Sequence, residues 1–156
     1  MDQKKIQQDN LDELGSAAEC GSIRHVRDIF QEVDDPNQLT RSGETVLTLA
    51  VESDNLELIR FLLDHGLDVS LQNNLGQTAL HCAIQNQVQW SEPHDLEPEL
   101  DIIKLLLEYH PDLSLKTILG QTVWTYYKSC DWPELDKLLA DELKWQEEHM
   151  NRKPPA

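Results

Sequence analysis

"SGETVLTLAV" (residues 42–51) and "LGQTALHCAI" (75–84) are one phrase written twice. Gly43 and Gly76 stand 33 positions apart, and Gly120 opens a third copy, "GQTVWTYYK", 44 positions after Gly76. The longer interval is one period plus 11 residues. After the phrase come "NLELIRFLLDHGLDVSLQ" (55–72) and "ELDIIKLLLEYHPDLSLK" (99–116). They keep register through Ile59 and Ile103, Leu62 and Leu106, Asp68 and Asp112, and Leu71 and Leu115. A weaker copy, "LGSAAECGSIRHVRDIF" (14–30), aligns Ala17 with Ala50 and Ile29 with Leu62. Self-similarity at a fixed period marks a chain built from stacked supersecondary units.

Each unit reads as two short helices. Thr45, Thr78 and Thr122 stand where a hydroxyl caps a first helix. Leu47, Leu49 and Ala50 then give a narrow apolar face, with alanine allowing close helix approach. Leu58, Ile59, Leu62 and Leu63 recur at a helical and not an alternating period. Asp54 and Glu57 have the spacing of a capping box before this second helix. Gly66 suits the left-handed residue that ends it, and Asn73, Asn74 and Gly76 turn the chain into the next unit. In the last unit Asp136 takes the place of Ile59 and Ile103, as a polar end cap requires. Its helix, "PELDKLLADELKWQEEHM" (133–150), is expected to keep Leu135, Leu138, Leu139 and Leu143 on one face. Residues 1–9 read either as a frayed arm or as an extra turn on the first helix, and the end "NRKPPA" as frayed.

These residues resemble the ankyrin-repeat family, whose period is 33 residues and whose phrase is T-P-L-H-x-A. "TALHCA" (78–83) is the nearest copy and "TVLTLA" (45–50) the next. The resemblance spans about residues 11–143 and implies an all-α solenoid of helix-turn-helix units with capping terminal repeats. It forms a single domain: repeat 1 about 11–38, repeat 2 about 39–72, repeat 3 about 73–116, and repeat 4 with the C-terminal helix about 117–149. The family proline after the threonine is missing throughout, and repeat 4 reads Trp124-Thr125-Tyr126-Tyr127 where Leu-His-x-Ala is expected. The 11 extra residues fall near 87–97, "QVQWSEPHDLE", between the paired helices of repeat 3. That insert is either a binding loop anchored by an exposed Trp90 or a tolerated surface loop.

Charge is the strongest compositional signal. Twenty-nine acids against thirteen bases give a net charge of −16, which repels nucleic acid and anionic lipid and draws in basic partners. No run approaches the roughly eighteen apolar residues of a membrane span. "MDQKKIQQDN" carries no apolar stretch, so no secretory signal is expected. Cys20, Cys82 and Cys130 are an odd, widely spaced set, which fits reduced thiols in the cytoplasm rather than a disulfide framework.

Motifs for chemistry are missing. There is no phosphate loop, no dinucleotide glycine pattern and no zinc helix. Cys20 and Cys130 hold equivalent places two repeats apart, too distant to share a metal, so no metal or cofactor is expected. Cys82 belongs on a buried helix face. The resemblance implies that His81 braces its turn by hydrogen bonding. His65 and His110 fall at helix ends, where partial positive charge suits the dipole, while His25 and His149 read as surface residues. His94 in the insert is the one histidine with no evident structural task. Without a constellation of nucleophile, base and orienting group, no catalysis is expected.

By resemblance, partners meet the turn tips and the exposed side of the first helices. Carried over by position, this gives Arg41, Ser42, Glu44 and Glu52 with Ser53 in repeat 2, then Asn74, Leu75, Gln77 and Gln85 with Asn86 in repeat 3. Repeat 4 gives Leu119, Gln121 and Lys128 with Ile118 and Ser129. The insert adds Trp90, Glu92, Asp95 and Glu97. Leu75 and Leu119 read as anchors or as packing for a neighbouring turn, with Ile118 the better fit to packing. Tyr126 and Tyr127 add aromatic contact or replace core volume. The expected function is non-catalytic protein binding by a monomer. The favoured form is an acidic inhibitor or neutralising, immunity-type binder of a basic partner, since no second domain is expected. The alternatives are an adaptor or scaffold subunit of a larger complex, and an enzyme with a cryptic site in the insert.

Overall fold

The computed structural model describes residues 2–90, 99–128 and 132–150, without the side chains of 89 and 90. Among these residues the chain is helical throughout, with eight helices and no strand. They fall into four successive pairs: α1 (Gln3–Glu19) with α2 (Ile23–Phe30), α3 (Val46–Glu52) with α4 (Leu56–Asp64), α5 (Ala79–Trp90) with α6 (Asp101–Leu107), and α7 (Val123–Tyr126) with α8 (Pro133–Met150). The first helices pack in a row, α1 on α3, α3 on α5 and α5 on α7, while α4 packs on α6. No helix among the described residues is long and apolar enough to cross a membrane.

Local chemistry starts α3 where the sequence places it. Thr45 accepts from the backbone N–H of Thr48 at 2.9 Å, and the Thr48 hydroxyl oxygen accepts the Thr45 N–H at 3.1 Å, closing a reciprocal cap. The buried surface is wider than the narrow face expected. Val46 and Val51 are buried with Leu47 and Ala50, whereas Leu49 is half-buried. The cause is tertiary: α3 is sandwiched between α1, α4 and α5. Thr122 caps differently from Thr45, since its side chain makes no cap bond.

The start of α4 departs from expectation. Asn55, not Asp54, is the N-cap, accepting from the Leu58 N–H at 3.1 Å. Asp54 instead has φ 54°, the left-handed conformation that Gly21 supplies with φ 70° at the equivalent point of the first pair. The junction between paired helices needs that conformation, and aspartate tolerates it better than most side chains. Gly66 ends α4 at φ 92°, as its type predicts, but His110 takes the equivalent place after α6 at φ 53°.

Both ends of the stack are specialised. Residues 3–9 are helical, the second of the two readings: α1 begins at Gln3, capped by Asp2. The Gln7 side-chain carbonyl accepts the Asp34 N–H at 3.0 Å, tying the added turns to the loop after α2. At the other end α7 is a single turn. Buried Tyr127 fills the space beside it and donates to Asp136 at 2.7 Å. Asp136 therefore gives the end its polar face. Leu135 and Leu139 are buried and Leu138 half-buried, but Leu143 is 40% exposed and leaves the expected apolar face. The insert also begins unexpectedly: α5 has 12 residues against 7 in α3, so residues 86–90 prolong the helix into the insert. Residues 91–98 lie outside the described part.

A candidate partner-binding face

The second, third and fourth units each begin with a tight hairpin built by the phrase that opened the sequence. Thr40, Asn73 and Thr117 each donate an N–H to the carbonyl four residues on, at 2.9 Å. Gly43, Gly76 and Gly120 return an N–H to those same three residues and take φ between 73° and 82°. Neighbouring hairpins interlock. The Asn74 N–H reaches the Gly43 carbonyl at 2.8 Å, and the Ile118 N–H reaches the Leu75 carbonyl at 2.9 Å. Because this link is made by main chain, the side chains point free. Leu75 is 46% exposed, Ile118 69% and Leu119 79%, so Ile118 does not pack on its neighbour as its character suggests.

His81 ties the third unit to the fourth. Its Nδ1 receives the Thr78 backbone N–H at 3.2 Å and must therefore be the unprotonated nitrogen. The Thr78 hydroxyl lies 2.9 Å from the same atom and donates to it. Nε2–H then donates to the Gln121 carbonyl at 3.3 Å. Burial lowers the pKa of His81, opposed by that bond to Gln121, so the neutral brace is favoured. Cys82 beside it is buried, and burial, with Glu52 and Glu44 nearby, pushes its thiol up to about 12.

The candidate residues divide by what already holds them. Arg41 is exposed, but its guanidinium pairs with Asp9 at 2.7 Å and Asp12 at 2.8 Å. Its pKa is raised, chiefly by the bond to Asp9. The Ser42 hydroxyl lies 2.8 Å from that of Thr40. Glu44 accepts from Thr48 and from the Asn73 amide, each at 2.9 Å, and so braces one turn to the next. Gln77 donates to Gln85 at 3.0 Å and to the Tyr126 hydroxyl at 2.7 Å, and Tyr126 donates to Gln85 at 2.9 Å. Tyr126 thus joins two candidate glutamines that share no helix. Asn74, Leu75, Leu119 and Lys128 are exposed, and Gln121 is half-buried with its carbonyl on His81. α5 includes Trp90, whose side chain is not described. Glu92, Asp95 and Glu97, with His94, Ser129 and Cys130, lie outside the described residues.

Glu52 sits in a feature that positional carry-over missed. A groove of about 390 Å³ is lined by Glu52, Asp54 and Glu99, with Asn86 and Ile102 among its walls. Among the described residues, three carboxylates and no base face it. Neither Glu52 nor Glu19 has an ion-pair partner among the described residues, whereas Glu57, Glu108 and Glu134 pair with Arg27, Arg60 and Lys104. The signal in the sequence was Glu52 and Asp54 at one helix-to-helix junction and the five acids between 92 and 101 at the next. Among the described residues no group of three or more His, Cys, Asp or Glu is placed to hold a metal.

Comparison with known proteins supplies the context. The family model described as "Ankyrin repeats (3 copies)" matches residues 14–117, about two-thirds of the chain. The chain is similar to human Neurogenic locus notch homolog protein 1, 36% identical over 61 residues, which is 39% of the chain and 2% of that protein. It is similar to rat Transient receptor potential cation channel subfamily V member 6, 36% identical over 69 residues, 44% of the chain and 8% of that protein. It is also similar to mouse RelA-associated inhibitor, 34% identical over 70 residues, 45% of the chain and 8% of that protein. The chain thus spans 2–8% of the length of these relatives.

Proposed function

This chain belongs to the ankyrin-repeat family, a class of protein-binding modules, and from that premise we propose that it is an acidic, stoichiometric inhibitor of a basic partner protein. The observation that carries this reading is the groove of Glu52, Asp54 and Glu99, three carboxylates that meet no base among the described residues. A lysine or arginine side chain entering it meets charge that the chain has not neutralised itself. Glu19 extends the same sign along the first-helix row, and the net charge of −16 supplies the long-range field. A relative of part of the chain is named an inhibitor, which agrees with this direction. The binding face in this proposal comprises Glu52 with Ser42, Asn74, Leu75, Leu119 and Lys128, plus Trp90, Glu92, Asp95 and Glu97 of the insert. Arg41, Glu44, Gln77, Gln85 and Gln121 hold the face in shape and exchange bonds at its edge. The same reading takes residues 11–38, 39–72, 73–116 and 117–149 as four repeats of one domain, monomeric when free and placed in the cytoplasm, with no catalytic step of its own.

The test starts with capture of the partner from the native source and its identification by mass spectrometry. A one-to-one complex is expected, with an association rate that falls about tenfold or more between low and high salt. Glu52→Lys is expected to slow association further. A rate indifferent to salt would refute the electrostatic reading. Two partners bound at once, with little salt dependence, would favour an adaptor, for which the exposed Leu75, Ile118 and Leu119 offer a separate apolar surface.

A further inference from the structure

The end of the stack is only half capped. Asp136 and Tyr127 close the first half of α8 with polar groups, but the second half presents Leu143 at 40% and Met150 at 70% exposure. These two residues form one wall of a cleft of about 490 Å³, together with Gln146 and Glu147. Their spacing of three, four and seven places all four on one side of the helix. The opposite wall is Leu113, before the third hairpin, and Trp124, on α7 after it. Terminal units of a solenoid ordinarily present polar outer faces. An apolar cleft left open there marks a place where another molecule docks.

The wall is rigidly mounted. His110 stacks flat on Trp145, with ring centroids 3.5 Å apart and planes 3° apart, and His149 stacks on the other face at 4.4 Å. The Nδ1 of His110 lies 3.0 Å from Glu142, a carboxylate only 7% exposed. Gln146 donates to Glu142 and to the Pro111 carbonyl, each at 2.7 Å. This network fastens α8 to the unit before it at the level of the cleft. The left-handed backbone of His110, where the second unit uses Gly66, is retained alongside it.

We infer that this cleft receives two turns of a basic amphipathic helix from a partner protein, at a surface separate from the first-helix groove. The apolar wall from Leu143 to Met150 is roughly 10 Å long, the rise of two helical turns. Charge selects the occupant. Among the described residues, Asp112 and Glu147 stand at the cleft against one base, Lys116, on a chain of net charge −16. A second copy of the chain would bring the same negative charge to the same edge, so a basic partner is favoured over self-association. The choice of a basic partner shares its electrostatic premise with the proposed function; the cleft itself does not depend on the groove at Glu52.

The probe is a labelled helical peptide of leucines spaced three and four apart on a lysine background, measured by fluorescence anisotropy on the full chain. Its scrambled isomer has the same charge but no apolar stripe, and is expected to bind at least tenfold more weakly. Met150→Asp and Leu143→Asp are each expected to weaken binding about tenfold. Ile6→Asp, at the opposite end of the stack, adds the same charge and is expected to leave binding unchanged. Met150 is exposed enough that its substitution cannot be confused with unfolding. Equal binding of the two peptides, or equal effects of Ile6→Asp and Met150→Asp, would overturn the inference. So would dimerisation in sedimentation that Met150→Asp abolishes, because the occupant would then be a second copy. A Glu52→Lys variant separates the two surfaces: it is expected to spare the peptide while impairing the native partner.

Discussion

Gly76 and Gly120 occupy the same place in the same phrase and share the same backbone conformation, φ 73° and 75°, yet their replacement by alanine is expected to differ sharply in cost. A Cβ at Gly120 meets nothing within 4 Å. Its penalty is that of placing an L side chain in the left-handed region, about 1–2 kcal/mol. A Cβ at Gly76 lands 2.9 Å from the Lys116 carbonyl oxygen, 2.9 Å from the Thr117 Cα and 3.0 Å from the Ile118 nitrogen. All three are backbone atoms of the next hairpin, and none can swing aside. Relieving such overlap costs a further 1–3 kcal/mol or so, and the movement must lengthen the Ile118-to-Leu75 bond that interlocks the turns. With a urea slope of about 2 kcal/mol per molar, Gly120→Ala lowers the midpoint by roughly 0.7 M and Gly76→Ala by roughly 1.5 M or more. Hydrogen exchange adds a local readout, since the Ile118 amide should lose protection in Gly76→Ala and keep it in Gly120→Ala. Equal midpoint shifts, with the Ile118 amide equally protected in both variants, would show that the hairpins do not interlock as described.

Two further outcomes are expected. The pKa of His81 lies below the ordinary 6.5, chiefly through burial, so the unfolded chain takes up a proton before the folded one as pH falls. Its contribution to stability is complete above that ordinary value and is lost as pH falls below it towards the folded value. The difference in urea midpoint between pH 7 and pH 5 should accordingly be smaller in His81→Gln than in the parent, and an unchanged difference would remove His81 from the account. Cys82, with its thiol pushed up to about 12 and its side chain buried, should resist a disulfide reagent in the native state, whereas exposed Cys20 reacts. Cys20→Ser should therefore lower the native count of reactive thiols by one and Cys82→Ser should leave it unchanged; the reverse would contradict the placement of α5.

The helices were legible because their causes are local. The recurrence at 33 residues, the caps at Thr45 and the glycines at positive φ each follow from a few neighbouring residues, and they located the turn tips that carry Leu75 and Leu119. Asp54 shows where that reading stops. As a residue type it suits a helix cap, but the junction required a left-handed residue, and the cap passed to Asn55. Ile118 was judged by its side chain, whereas its amide makes the contact with the preceding turn.

By itself the sequence determined the repeating unit, the order of helices, most of the buried aliphatic positions and the sign of the surface charge, all properties fixed by periodicity and composition. Only the tertiary structure decided which carboxylates share a groove, which candidate glutamines are already held by Tyr126, and that α8 leaves an apolar cleft at the end of the stack. These depend on how units separated by more than thirty residues come to lie side by side. That placement is set by packing between helices, which no single repeat encodes.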